Sequence, residues 1–131
     1  MHRLDHVALR AADLDRAIDF YTNTLGLQLM FRELDEEHHE AFAFLELEGG
    51  NLELLQMLDE NNQPLPHTAP KPEPPYCPHV ALGVDDLDLL LATLANAGIA
   101  LLKGPLLIPN KVRWCYMADP DNNVIEFVQW L

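Results

Sequence analysis

Two stretches of this chain, from Asp13 to Gly26 and from Asp86 to Gly98, repeat apolar residues at helical spacing. Leu14, Ala17, Ile18, Tyr21 and Leu25 make one stripe, with Phe20 beside it, and Leu87, Leu90, Leu91 and Leu94 make the other. An aspartate opens each stretch, where its side chain can cap free N–H groups, and a glycine closes it. Both should form helices lying on a sheet. After each helix come short runs with strand character: Leu27 to Leu34, Ala41 to Glu48 and Leu52 to Met57, then Ile99 to Leu102, Val112 to Met117 and Val124 to Trp130. Gly49-Gly50-Asn51 and Asp119-Pro120-Asp121-Asn122-Asn123 supply reversals just before the last strand of each set.

The chain therefore repeats itself once. HVALRAADLD begins at His6 and HVALGVDDLD at His79, an offset of 73 (79 − 6), with seven of ten positions matched. Each half reads as strand, helix and three strands, an α+β pattern. The expected organisation is one domain of two modules, about 1–58 and about 79–131, joined by a linker or lid at about 59–78. That segment, DENNQPLPHTAPKPEPPYCP, is too rich in proline for a helix or a central strand.

Composition narrows the partners. The 131 residues carry 8 Lys and Arg against 21 Asp and Glu, a net charge of −13 that repels nucleic acid and anionic lipid. A small-molecule substrate is the expected partner, with no nucleic acid and no membrane. The opening MHRLDHVALR lacks the apolar core of a secretory signal, so the cytoplasm is the expected compartment. Cys77 and Cys115 are then expected to be reduced and to carry no chemistry.

The candidate chemistry lies in a repeated pair. LELLQ holds Glu53 and Gln56, IEFVQ holds Glu126 and Gln129, and the distance from His6 to Glu53 equals that from His79 to Glu126, 47 residues (53 − 6 and 126 − 79). A glutamate flanked by Leu52 and Leu54, or by Ile125 and Phe127, sits in a strand that should be largely buried, where an unpaired carboxylate costs several kcal/mol. Two imidazoles and two carboxylates are satisfied together by one divalent cation, and donors without thiolate suit Zn, Ni, Co, Mn or Fe(II). Each histidine could instead be a satisfied core residue and each glutamate a solvated one; the matched repeat favours the metal. In EEHHE, Glu36 to Glu40, the adjacent histidines are read as a solvated turn. Trp114 and Trp130 are read as packing or interface residues, and Lys111 and Arg113 as candidate anion contacts.

These residues resemble the vicinal oxygen chelate superfamily, which includes glyoxalase I, methylmalonyl-CoA epimerase, extradiol dioxygenases and the fosfomycin and bleomycin resistance proteins. The resemblance covers nearly the whole chain. It implies two βαβββ modules forming a curled, partly closed mixed sheet around a metal held by His6, Glu53, His79 and Glu126. A His/Glu/His/Glu set is similar to that of bacterial glyoxalase I, whereas epimerases usually carry glutamine at the position of Glu53. The resemblance thus implies a metal-dependent lyase or isomerase of the lactoylglutathione lyase type, moving a proton by way of an enediolate. Glu126 is the favoured base and Glu53 the second candidate; Ni, Co or Zn is the expected cation, ahead of Fe or Mn. Arg10 in HVALR matches an arginine that helps to hold the glutathione carboxylate, so glutathione or another thiol is the implied cosubstrate. Met57 stands where glutathione-using members tend to have asparagine, and PLLIPNK, Pro105 to Lys111, replaces a glycine-rich loop. A homodimer is expected. The alternatives are an extradiol-type dioxygenase and a non-catalytic drug-binding protein of the same fold.

Overall fold

The computed structural model describes residues 1–131. Its internal contacts divide the chain into two compact units, Met1–Ala69 and Pro70–Leu131. The first holds β1 (His6–Arg10), α1 (Leu14–Asp19), β2 (Gln28–Asp35), β3 (Glu40–Glu46) and β4 (Asn51–Met57). The second holds β5 (Val80–Gly83), α2 (Leu87–Asn96), β6 (Lys103–Ile108), β7 (Val112–Ala118) and β8 (Val124–Trp130). Each forms a four-stranded mixed sheet, in the orders β1-β4-β3-β2 and β5-β8-β7-β6. The first strand runs parallel to the last, and the other neighbours are antiparallel. The α+β class and the repeated βαβββ module are thus as the sequence pattern implies.

The duplication extends to register. Ala8 pairs with Glu53 across β1 and β4, and Ala81 pairs with Glu126 across β5 and β8. Side chains alternate along each strand, so every sheet has a helix-covered face and an opposite face. On β4, Leu52, Leu54 and Gln56 are buried, and α1 lies against this strand and β3. Leu14, Ala17 and Tyr21 from the helix side meet Ala43, Leu45, Leu52 and Leu54 as the core of the first module. Leu87, Leu94, Cys115, Met117, Ile125 and Phe127 are its counterparts in the second. The leucines flanking Glu53 therefore point away from it, into the core.

Both helices start as their aspartates require. Asp13 accepts the Arg16 N–H at 3.2 Å and Asp86 the Leu89 N–H at 3.0 Å. A second cap comes from the sheet, where the Gln56 amide oxygen accepts the Leu14 N–H at 2.9 Å and that of Gln129 accepts the Leu87 N–H at 2.8 Å. These bonds explain why glutamine recurs in both last strands. Gln56→Leu leaves a buried helix N–H without its acceptor, and chemical denaturation should show a loss of about 1–3 kcal/mol. A change below about 0.5 kcal/mol would mean that the cap adds nothing.

Two expectations need correction. The strand expected at Ile99–Leu102 lies further along, at Lys103–Ile108, and includes Pro105. Proline is tolerated there because β6 is an edge strand whose pairing shifts between Lys103 and Leu106. The first helix is regular only to Asp19 and then widens over Phe20–Thr24, with the Leu25 N–H reaching back five residues to the Phe20 carbonyl. The proline-rich segment forms neither helix nor strand of a sheet, and it opens on a local turn. Asp59 accepts the N–H groups of Asn61 and Gln63, and Leu58 bridges to Pro64, so the start of the segment is a folded turn of the first unit. No helix is long and apolar enough to cross a membrane.

Candidate metal-binding half-sites

His6 and Glu53 stand on adjacent parallel strands, on the face of the first sheet opposite its helix. His6 Nε2 lies 3.6 Å from Glu53 Oε1. The second module repeats the pair, with His79 Nε2 3.2 Å from Glu126 Oε1. Both glutamate side chains are 16% exposed. Burial holds the Glu53 carboxyl above its ordinary value, opposed by the nearby His6 and reinforced by the charge of Glu40.

The other ring nitrogen decides what each pair can do. His6 Nδ1 lies 2.6 Å from an Asp5 carboxylate oxygen, and His79 Nδ1 lies 3.0 Å from the Tyr76 carbonyl. An ionised carboxylate and a peptide carbonyl only accept, so Nδ1 is the donor in both rings. In the neutral imidazole the lone pair then sits on Nε2, facing a carboxylate oxygen. Two electron-rich atoms at that range repel unless a proton or a cation lies between them.

The donor set fits a cation of intermediate hardness: imidazole nitrogen and carboxylate oxygen, with each imidazole held from behind. His6 Nε2 with Glu53, and His79 Nε2 with Glu126, would be the atoms to hold such a cation, each pair offering one nitrogen and one carboxylate oxygen. No group of three or more His, Cys, Asp or Glu side chains that could hold a metal ion gathers in the structure; His6 is brought to Glu53 in one module and His79 to Glu126 in the other.

Aromatic rings surround both pairs. Phe44 pairs in register with Glu53 and meets His6 edge-on at 5.1 Å, while Phe31 stacks on Phe44 at 5.1 Å. Tyr116 pairs with Glu126, meets His79 edge-on at 5.5 Å and lies 5.4 Å from Tyr76. Burial and then the charge of Glu126 push the Tyr116 phenol up. None of Asp5, Phe44, Tyr76 and Tyr116 was legible as a site residue. Phe44 and Tyr116 differ in identity, and they stand 72 rather than 73 residues apart (116 − 44), so the repeat does not align them.

The remaining candidates separate. Arg10 pairs with Leu55 at the end of β1, two and four residues along the same face from Ala8 and His6. Arg113 donates to Asp88 on α2 at 2.8 Å. In the EEHHE turn, His38 is exposed and 2.9 Å from Asp35, while His39 lies 2.7 Å from the Asn62 side chain. Cys77 is exposed and Cys115 buried, both as free thiols.

Comparison with known proteins gives this geometry a family. The chain is 29% identical to a probable lactoylglutathione lyase of Vibrio cholerae over 98% of its own length and 91% of that protein. A second probable lactoylglutathione lyase, from Vibrio parahaemolyticus, is 30% identical over 97% and 90%. A glyoxalase family protein of Bacillus cereus has the same fold, with a TM-score of 0.79 at 23% identity, covering all of this chain and 95% of that one. The family model describing the glyoxalase/bleomycin resistance protein/dioxygenase superfamily matches residues 3–127. The chain belongs to the glyoxalase/bleomycin resistance protein/dioxygenase superfamily.

Proposed function

We propose that this protein is a metal-dependent lyase or isomerase of the glyoxalase I type, in which His6, Glu53, His79 and Glu126 join as one divalent-cation site. One observation carries the reading: in both modules the histidine spends Nδ1 on an acceptor and turns Nε2 to a carboxylate, at 3.6 and 3.2 Å. Ni, Co or Zn is the favoured cation for this donor set. When bound, such a cation supplies Lewis acidity to the paired oxygens of a small substrate.

The chain's own groups do the rest. Glu126 takes the proton from the carbon beside the substrate carbonyl and returns it to the neighbouring carbon, with Glu53 as the alternative base. Phe42, Phe44, Trp114 and Tyr116, all half-buried, keep water from the reacting carbons. Arg10 offers a guanidinium to an acidic group of the thiol partner, with glutathione as the first compound to try. The likeness to lactoylglutathione lyases supports the substrate class, a hemithioacetal formed from a thiol and a 2-oxoaldehyde.

Metal analysis of protein purified without added cations tests the reading. The wild type should carry close to one equivalent per four-residue site, and Glu53→Gln and Glu126→Gln should each lose most of it. Wild-type protein that takes up no nickel, cobalt or zinc would sink the reading. Oxygen uptake with a catechol and Fe(II) would replace it with a ring-cleaving dioxygenase.

A further inference from the structure

The repeat that matches the histidines and glutamates breaks at the residue before each histidine. Asp5 precedes His6, and the residue 73 positions later is Pro78 (5 + 73), which offers no side-chain acceptor. Yet both imidazoles end in the same state. His6 donates Nδ1–H to the Asp5 carboxylate at 2.6 Å, and His79 donates Nδ1–H to the Tyr76 carbonyl at 3.0 Å. Tyr76 reaches that geometry with a backbone φ of +62°, a left-handed conformation that a bulky aromatic residue rarely adopts. Two unrelated local structures, one a side chain and one a strained turn, thus leave Nε2 bare and aimed at a glutamate.

From this we infer that Asp5 is a positioning residue: it fixes the tautomer and ring orientation of His6 so that Nε2 is presented as a ligand beside Glu53. The inference rests on the cation reading above and adds the group behind the ligand. Asp5 is itself anchored, since its carbonyl accepts the Asn51 N–H at 2.9 Å at the start of β4. Its carboxylate is 81% exposed, so it does not pair with His6 for want of solvent. The short separation is that of a charge-assisted bond, which polarises the ring and strengthens Nε2 as a donor toward a metal. The neutral Tyr76 carbonyl gives His79 the orientation with less polarisation, so the His6 half is the more strongly donating of the two.

The test reads the ring first without any cation. In metal-free protein labelled with ¹⁵N at histidine, long-range ¹H–¹⁵N correlation spectra of neutral His6, assigned with His6→Ala, should show the proton on Nδ1. Asp5→Ala should move it largely to Nε2, Asp5→Asn should keep it on Nδ1 through the amide oxygen, and His79 should not change in either variant. Cobalt affinity, read by competition with a coloured chelator, should then fall about ten- to a hundredfold in Asp5→Ala and by a smaller factor in Asp5→Asn. The proton found on Nε2 of wild-type His6 overturns the inference. So does an Asp5→Ala variant that binds cobalt like wild type while His6→Ala does not. If wild type takes up no cobalt, the cation reading fails, and the His6 spectrum still decides what Asp5 does.

Discussion

Glu126→Gln is expected to lower kcat/KM for hemithioacetal isomerisation by on the order of 10³ in cation-loaded enzyme, because glutamine cannot carry the transferred proton. Glutamine keeps the size of the side chain, and the strand around it is held by Ile125 and Phe127, both buried on the opposite face. Thermal and denaturant midpoints should therefore stay close to wild type. The assay is stopped-flow or steady-state formation of the thioester with the cation in excess, which restores any affinity lost with the ligand. A loss below tenfold would remove Glu126 from the role of base and leave it as a ligand alone. Glu53→Gln in the same assay then decides between the two carboxylates, since the group that only holds the cation should be compensated by that excess.

The largest effect on stability is expected from the other face of the same strands. Leu52 is fully buried in the core on the face opposite Glu53, and Leu52→Ala removes packing beneath α1 and leaves a cavity, at a cost of about 2–5 kcal/mol by chemical denaturation. Ile125→Ala in the second module should cost a similar amount. Both sites are flanked by a proposed ligand, yet neither change touches it. The variants should keep their cation stoichiometry under conditions where they remain folded. A loss below about 1 kcal/mol would mean that the helix-covered faces are not the load on which each module rests.

Much of the fold was readable because its signals are periodic and local. The stripes from Leu14 to Leu25 and from Leu87 to Leu94, the capping aspartates and the closing glycines all act within a few residues of chain. The sixth strand escaped because Pro105 speaks against a strand, and only its place at a sheet edge, with a shifted register, makes it acceptable. The wide turn after Asp19 escaped for the opposite reason, since apolar spacing continues through it unchanged. At the site, duplication exposed the four matched side chains and concealed what is not duplicated. Asp5 stands opposite Pro78 in the repeat, Phe44 opposite Tyr116 in the fold, and the Tyr76 carbonyl belongs to a backbone conformation that no residue type announces.

The three-residue interval between glutamate and glutamine in each last strand gives the module a built-in proofreading step. An odd interval on a strand sends the two side chains to opposite sides, so Gln56 can seat the helix only when Glu53 projects the other way. Sliding the strand by one position would bury the acid beneath the helix and strip that helix of its anchor at the same time. Docking of helix on sheet thus certifies that the acid faces outward.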